Sequence, residues 1–238
     1  MTPSATHIVI IPSYNAGPML RRTVADALAA WAPVLVVIDG STDGSEAGLA
    51  ADHLTVLRQP GNTGKGAAVR AGLLHAEAAG FTHALVMDSD GQHPADHIAP
   101  LMAASAADPA AMILGQPEFG ADAPWPRVVG RRIGNALTAR LTPGAGLGDS
   151  LFGFRVYPIG PLLAVMAQTS WMRRFDFDTE AVVRLSWRGI PAISRPVPVR
   201  YWRPDQGGVS HFRYARDNLL LAWMHLRLFL ARRSPASR

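Results

Sequence analysis

At 238 residues and 48% hydrophobic composition, the chain has the length and apolar content of one domain with an ample core. The absence of cysteine excludes disulfides and thiol chemistry; no apolar run reaches the ~18 residues of a membrane span, and no basic–apolar leader opens the chain, so neither a transmembrane helix nor a signal peptide is expected. The net charge of +5 is unevenly spread: residues 1–120 carry 5 basic and 11 acidic side chains, residues 121–238 carry 18 and 7, and Lys65 is the only lysine among the 23 basic residues.

Taken in chain order, His7 to Ile11 is a β-branched run. It ends in the turn Pro12-Ser13-Tyr14-Asn15-Ala16-Gly17, and a helical pattern follows through Leu20, Val24, Leu28 and Trp31. Val34 to Ile38 reads as a second buried strand, closed by Asp39-Gly40-Ser41-Thr42-Asp43-Gly44-Ser45. Leu54 to Leu57 is a third, followed by Asn62-Thr63-Gly64-Lys65-Gly66 and a helix to about Ala79. The fourth, from Leu85, ends in Asp88-Ser89-Asp90-Gly91-Gln92-His93-Pro94. Strand, polar turn and helix in repetition predict a mostly parallel α/β sheet flanked by helices, with ligands bound outside the carboxyl ends of the strands.

Period-two alternation places Asp88 and Asp90 on the same side of the fourth strand's end. Two carboxylates so close suit Mg²⁺ or Mn²⁺, which takes one or two carboxylates together with substrate phosphates. The competing reading is a polar turn that caps the next helix, with Pro94 at its start. The turn around Lys65 fails the phosphate-loop pattern: Gly61 and Gly64 are too close, and Gly66 follows the lysine. Nor does a G-x-G-x-x-G follow the first strand, which argues against a dinucleotide-dependent oxidoreductase.

These four turns, in this order and spacing, resemble the family 2 glycosyltransferases, and within them the dolichyl- and polyprenyl-phosphate sugar synthases. The resemblance continues through Gly148-Asp149-Ser150-Leu151-Phe152-Gly153-Phe154-Arg155, Phe175-Asp176-Phe177-Asp178-Thr179-Glu180 and Gly208-Val209-Ser210-His211. It implies a GT-A fold, a Rossmann-like sheet, and an inverting hexosyl transfer from a nucleotide-sugar donor. By the same resemblance the nucleotide is contacted by Pro12, Tyr14, Asn15, Asp39, Lys65 and Asp88, and the metal by Asp88, Asp90 and Gln92. Asp149 is the candidate catalytic base on the acceptor side. Arg131, Arg155, His211 and Arg213, with Arg132 beside them, are candidates to hold an acceptor phosphate by forked hydrogen bonds. For Asn15 a helix cap, and for Lys65 a solvated helix start, are equally simple readings. Asp178 and Glu180 read most simply as carboxylates that complement a helix dipole.

Residues 1–205 are expected to form the transferase domain, and 206–238 a glycine-rich loop, an amphipathic helix from Phe212 to Ala231 and a basic tail. Arginines spread through apolar helices fit an anionic lipid surface or a lipid phosphate better than nucleic acid. The expectation is a cytoplasmic protein in peripheral contact with the inner face of the cytoplasmic membrane, acting on a lipid-phosphate or other lipid-linked acceptor; self-association into a homo-oligomer is left open. A hydroxyl acceptor on a lipid or pigment is an alternative, as is a non-catalytic nucleotide-binding scaffold, since Ala16, Ile38 and His211 depart from the family's usual residues.

Overall fold

A computed structural model describes residues 2–119, 125–199 and 214–232. The glycine-rich loop with His211 and Arg213, and the basic tail, lie outside the described residues.

The first half alternates as expected: β1 (His7–Ser13), α1 (Met19–Ala30), β2 (Val34–Asp39), β3 (Leu54–Gln59), α2 (Lys65–Ala78), β4 (His83–Val86), a single 3-10 turn (Ala95–His97) and α3 (Ile98–Ala107). The second half supplies β5 (Met112–Glu118), α4 (Trp125–Leu141), β6 (Arg155–Pro158), α5 (Ile159–Ala167), α6 (Asp176–Trp187), β7 (Ala192–Pro198) and α7 (Tyr214–Arg232). The seven strands lie in the order β3-β2-β1-β4-β6-β5-β7. All neighbouring pairs are parallel except those of β6, which runs against both β4 and β5.

The continuous apolar character of β1 and β2 follows from burial of both sheet faces. Ile8, Ile10, Leu35 and Val37 pack on one side with Leu73 of α2, Leu162 of α5 and Val182 of α6. Val9, Ile11, Val34 and Val36 pack on the other with Leu20 and Val24 of α1 and Ile98 and Met102. The chain moves outward from β1 to β3 and then returns to β4 on the far side of β1, so strand order reverses between β1 and β4. That reversal opens a crevice at the carboxyl ends of these strands. Antiparallel β6 enters beside it, with Arg155 paired in register with Val86, so the Gly148–Phe154 segment is delivered to the crevice.

The last helix is packed on the domain. Met224 and Leu228 join Leu141 and Val183 in a third apolar cluster. Fully buried Glu180 accepts hydrogen bonds from Arg184 (Nε, 2.8 Å) and from Arg227 of α7 (Nη2, 2.9 Å), while the Arg227 guanidinium lies 4.1 Å from the centroid of the Trp171 ring. Glu180 is therefore an anchor for two arginines and not a dipole-complementing surface residue.

At the opposite edge of the sheet from the crevice, His7 stacks on His83 with centroids 4.6 Å apart, and it hydrogen-bonds with Thr6 and Ser105. Burial, with a smaller contribution from His83, lowers the His7 pKa from 6.5 to about 4. The unfolded chain therefore binds a proton below pH ~6.5 that the folded one refuses until about pH 4, so this contribution is complete above ~6.5 and is lost as pH falls. We expect wild type to lose on the order of 3 kcal/mol relative to His7→Phe between those limits. Urea unfolding of both proteins across pH 4–7 measures it; parallel profiles would contradict a buried neutral His7.

Candidate active site

The first three turns of the crevice are stitched into one rim. The Asn15 N–H donates to Ser41 Oγ at 3.0 Å, and Asn15 Oδ1 accepts from the Thr42 N–H at 2.8 Å. Asp43 accepts from the Gly17 N–H at 2.9 Å. Asn15 thus bridges two turns and does not cap α1, which Pro18 precedes. Asp39, 2% exposed, accepts from the N–H and hydroxyl of Thr63 (2.8 and 2.7 Å) and from the Gly64 N–H (2.8 Å). A base or ribose donor at Asp39 must share oxygens that three donors already occupy. Gly40, with φ +68°, lets the second and third turns touch: a Cβ there would lie 2.4 Å from the Gly61 carbonyl carbon. Pro12 is buried and Tyr14 half-buried on the same rim.

The two aspartates are placed differently from the alternation argument. β4 ends at Val86, the Met87 N–H makes a last contact to the Ile10 carbonyl, and the Asp88 N–H turns to His93 Nδ1 at 3.0 Å. Asp88 and Asp90 therefore project from a turn and not from the strand. Accepting at Nδ1 leaves His93 protonated at Nε2, which lies 3.9 Å from Asp88 Oδ2. Burial dominates the His93 titration and lowers its pKa to about 4; the ring packs against Phe152 and Phe154. His93 is a brace for the turn, and the pattern Q-H-P named it without revealing that role.

Lys65 is neither solvated nor free to reach outward. Its ammonium lies 2.7 Å from Asp88 Oδ1 and 2.8 Å from Asp178 Oδ2. Gly153 faces this cluster, and a Cβ added there would come within 2.6 Å of Lys65 Nζ. Burial would lower the lysine pKa, but the two carboxylates overturn that and hold it well above its usual value. Asp90 sits alongside, with Oδ1 accepting from the Gln92 N–H at 3.0 Å. Burial, then the charge of Asp88, raises its pKa to about 7. Among the described residues no three carboxylate, histidine or cysteine side chains cage a cation by themselves. Asp88 and Asp90 nevertheless suit a hard dication whose remaining positions would fall to phosphate oxygens and water, since the charge of each carboxylate crowds the other.

Asp149 lies 2% exposed at the other end of the crevice. Its carboxylate accepts from Arg131 Nη1 (2.7 Å), Asn135 Nδ2 (3.1 Å) and the N–H groups of Leu151 (2.9 Å) and Phe152 (2.8 Å). Burial pushes its pKa up, but Arg131 and these hydrogen bonds more than compensate and hold it below the usual range. Arg131 remains partly exposed beside it; its side chain is 24% accessible. Arg132 is exposed one position further along α4. The acceptor role expected for Arg155 is corrected: it is 0% exposed, and its guanidinium donates to the Tyr157 hydroxyl and to the backbone carbonyls of Asp149 and Asp178. It ties the Asp149 turn to α6 from below and cannot grip a ligand in the crevice.

Asp178 was the residue the sequence concealed. A carboxylate in the first turn of a helix reads as dipole compensation; here it points inward to the chain's only lysine, a pairing that separation by 113 positions hides.

A sheet of this order, with its polar turns gathered at the reversal point, defines the GT-A class of glycosyltransferases. The same fold is seen in glucosyl-3-phosphoglycerate synthase from Mycobacterium tuberculosis. Its complex with Mn²⁺, UDP-glucose and phosphoglyceric acid superposes with a TM-score of 0.69 at 16% identity, over 95% of this chain and 79% of that one. Its complex with Mn²⁺, UDP and glucosyl-3-phosphoglycerate gives 0.66 at 17% identity over the same shares. The sequence matches the glycosyl transferase family 2 profile over residues 8–178, and the chain belongs to that family. It is also 32% identical over 199 residues to the polyprenol monophosphomannose synthase of Mycolicibacterium smegmatis, covering 79% of this chain and 73% of that protein. The protein is a glycosyltransferase and resembles the polyprenyl-phosphate sugar synthases.

Proposed function

We propose that this enzyme transfers a sugar, with inversion, from a nucleotide-diphosphate donor to a polyprenyl phosphate or similar lipid-linked phosphate. The observation that carries the reading is the arrangement of Asp88, Asp90 and Lys65 at the reversal point, opposite a buried Asp149 that four donors have already engaged. The name of the Mycolicibacterium relative points to the same acceptor chemistry.

Asp88, Asp90 and Gln92 would hold a Mg²⁺ or Mn²⁺ ion, which would supply charge neutralisation for the departing diphosphate. In the transfer itself an acceptor oxygen bonds to the sugar C1, and the bond from C1 to the diphosphate breaks with its electron pair leaving on the diphosphate. A phosphate monoester is largely anionic at neutral pH, with a second pKa of ~6, so its attack needs little help from a base. That suits an Asp149 whose carboxylate already accepts four hydrogen bonds and whose pKa is depressed, and it disfavours a hydroxyl acceptor, which must lose a proton as it attacks. Asp149 then acts by orienting Arg131, whose partly exposed guanidinium is available to the acceptor phosphate. The described helices include none long and apolar enough to cross a membrane; contact with the lipid is assigned to the outer face of α7, where Leu219, Trp223, Leu226 and Leu230 are exposed.

The test is donor turnover with polyprenyl phosphate in the presence and absence of divalent cation. We expect transfer to require Mg²⁺ or Mn²⁺, and Asp90→Ala to remove most of the metal dependence of nucleotide diphosphate binding measured by calorimetry. Equal nucleotide affinity with a chelator present would defeat the metal assignment. Nucleotide binding without turnover on any lipid fraction would mark a scaffold instead.

A further inference from the structure

The ion-pair cluster at Lys65 is unequal on its two sides. The Asp88 side chain is 31% accessible and opens toward Asp90, whereas that of Asp178 is 7% accessible and faces inward. One Asp178 oxygen takes the ammonium at 2.8 Å; the other, Oδ1, is buried with no hydrogen-bond partner among the described residues. An acceptor buried without a donor is costly, and its persistence calls for an occupant at some stage. Gly153 leaves the ground between the two carboxylates clear: a Cβ on it would sit 2.6 Å from Lys65 Nζ, 3.1 Å from Asp178 Oδ1 and 3.3 Å from Asp88 Oδ2.

Asp88 Oδ1 is committed to Lys65 and Oδ2 faces His93, so a dication approaching Asp88 meets a resident ammonium first. Two cations in contact with one carboxylate repel strongly where water is sparse. We propose that Asp178 is the alternate seat for Lys65: on metal binding the ammonium moves wholly onto Asp178, whose unpartnered Oδ1 receives the hydrogen bond withdrawn from Asp88. Before metal arrives, Lys65 occupies its place beside Asp88. Lys65 and Asp178 are thus positioning residues for the metal end of the site. This inference rests on the metal reading of Asp88 and Asp90.

The probe is Mn²⁺ alone, followed by loss of its free-ion electron paramagnetic resonance signal as full-length protein is added. Asp178→Asn removes the charge of the alternate seat and strands the ammonium on Asp88, so Mn²⁺ affinity is expected to fall about tenfold or more. Lys65→Gln removes the competitor and should bind Mn²⁺ as tightly as wild type or more tightly. The double variant Lys65→Gln/Asp178→Asn should return to within roughly threefold of Lys65→Gln, a coupling that two independent losses cannot produce. Wild-type binding matched by Asp178→Asn would overturn the seat and leave the metal reading intact. So would a tenfold weakening in Lys65→Gln, which keeps the test alive if Asp178→Asn fails to fold. No Mn²⁺ uptake by wild type would remove the metal reading and the seat together.

Discussion

Asp149→Ala is expected to lose about 3 kcal/mol or more of stability and nearly all transfer activity, while Asp149→Asn folds and turns over. The alanine leaves Arg131 without its partner and strands the Asn135 amide and the N–H groups of Leu151 and Phe152. Breaking a buried charge pair by deleting one member typically costs ~3–5 kcal/mol, and the partial exposure of Arg131 moves this case toward the lower end. Against a total of ~5–15 kcal/mol such a loss is visible as a large fall in unfolding temperature. Asparagine keeps an oxygen for Leu151 and Phe152 but turns an amide toward Asn135 Nδ2. Asn135 cannot readily flip in response, because its own oxygen accepts from the N–H and hydroxyl of Ser150. A penalty of ~1–2 kcal/mol follows for that clash of donors. With a phosphate acceptor, Asp149→Asn retains measurable turnover and Arg131→Ala raises the acceptor KM. If Asp149→Asn abolishes transfer at full folding while Arg131→Ala behaves as wild type, Asp149 is a base and the acceptor carries a hydroxyl.

The paired replacement Trp223→Asp and Leu226→Asp is expected to abolish association with anionic vesicles while leaving the fold in place. Leu219, Trp223, Leu226 and Leu230 recur at intervals of four, three and four along α7 and so share one face. They are 72%, 45%, 50% and 59% exposed, whereas Met224 and Leu228 on the opposite side are fully buried against α4 and α6. A helix apolar on both sides needs a second partner for its outer stripe. Exposed Arg216 and Arg232 near its ends, and Trp171 packed edge-on to Trp223, match the edge of an anionic bilayer. Burial of such side chains contributes ~1.5–3 kcal/mol each, so losing two weakens partitioning by a factor on the order of 10² or more. Flotation at low and high salt measures it. Wild-type protein that stays unbound at low salt, or a double variant that floats equally well, would remove the lipid surface and leave the outer stripe to self-association.

The alternation of elements through β4, the crevice at the strand ends and the four turns that line it were legible along the chain before any contact was known. Those features depend on local signals: β-branched runs, glycine-bearing turns and period-3.6 helices whose partners lie within one strand–helix unit. Even there, the strand stopped at Val86, because the Asp88 N–H found a histidine ring five residues on in place of a neighbouring strand. The partners of the charged residues were fixed only by folding. Arg131 and Arg155 read alike in the sequence, yet one is half-open beside Asp149 and the other is sealed beneath the crevice by antiparallel β6. Asp178 and Glu180, two positions apart at one helix start, bind Lys65 and Arg227 from opposite parts of the chain. A buried charge must be paired wherever its partner arises, so its role is fixed by which distant segments the sheet order brings together.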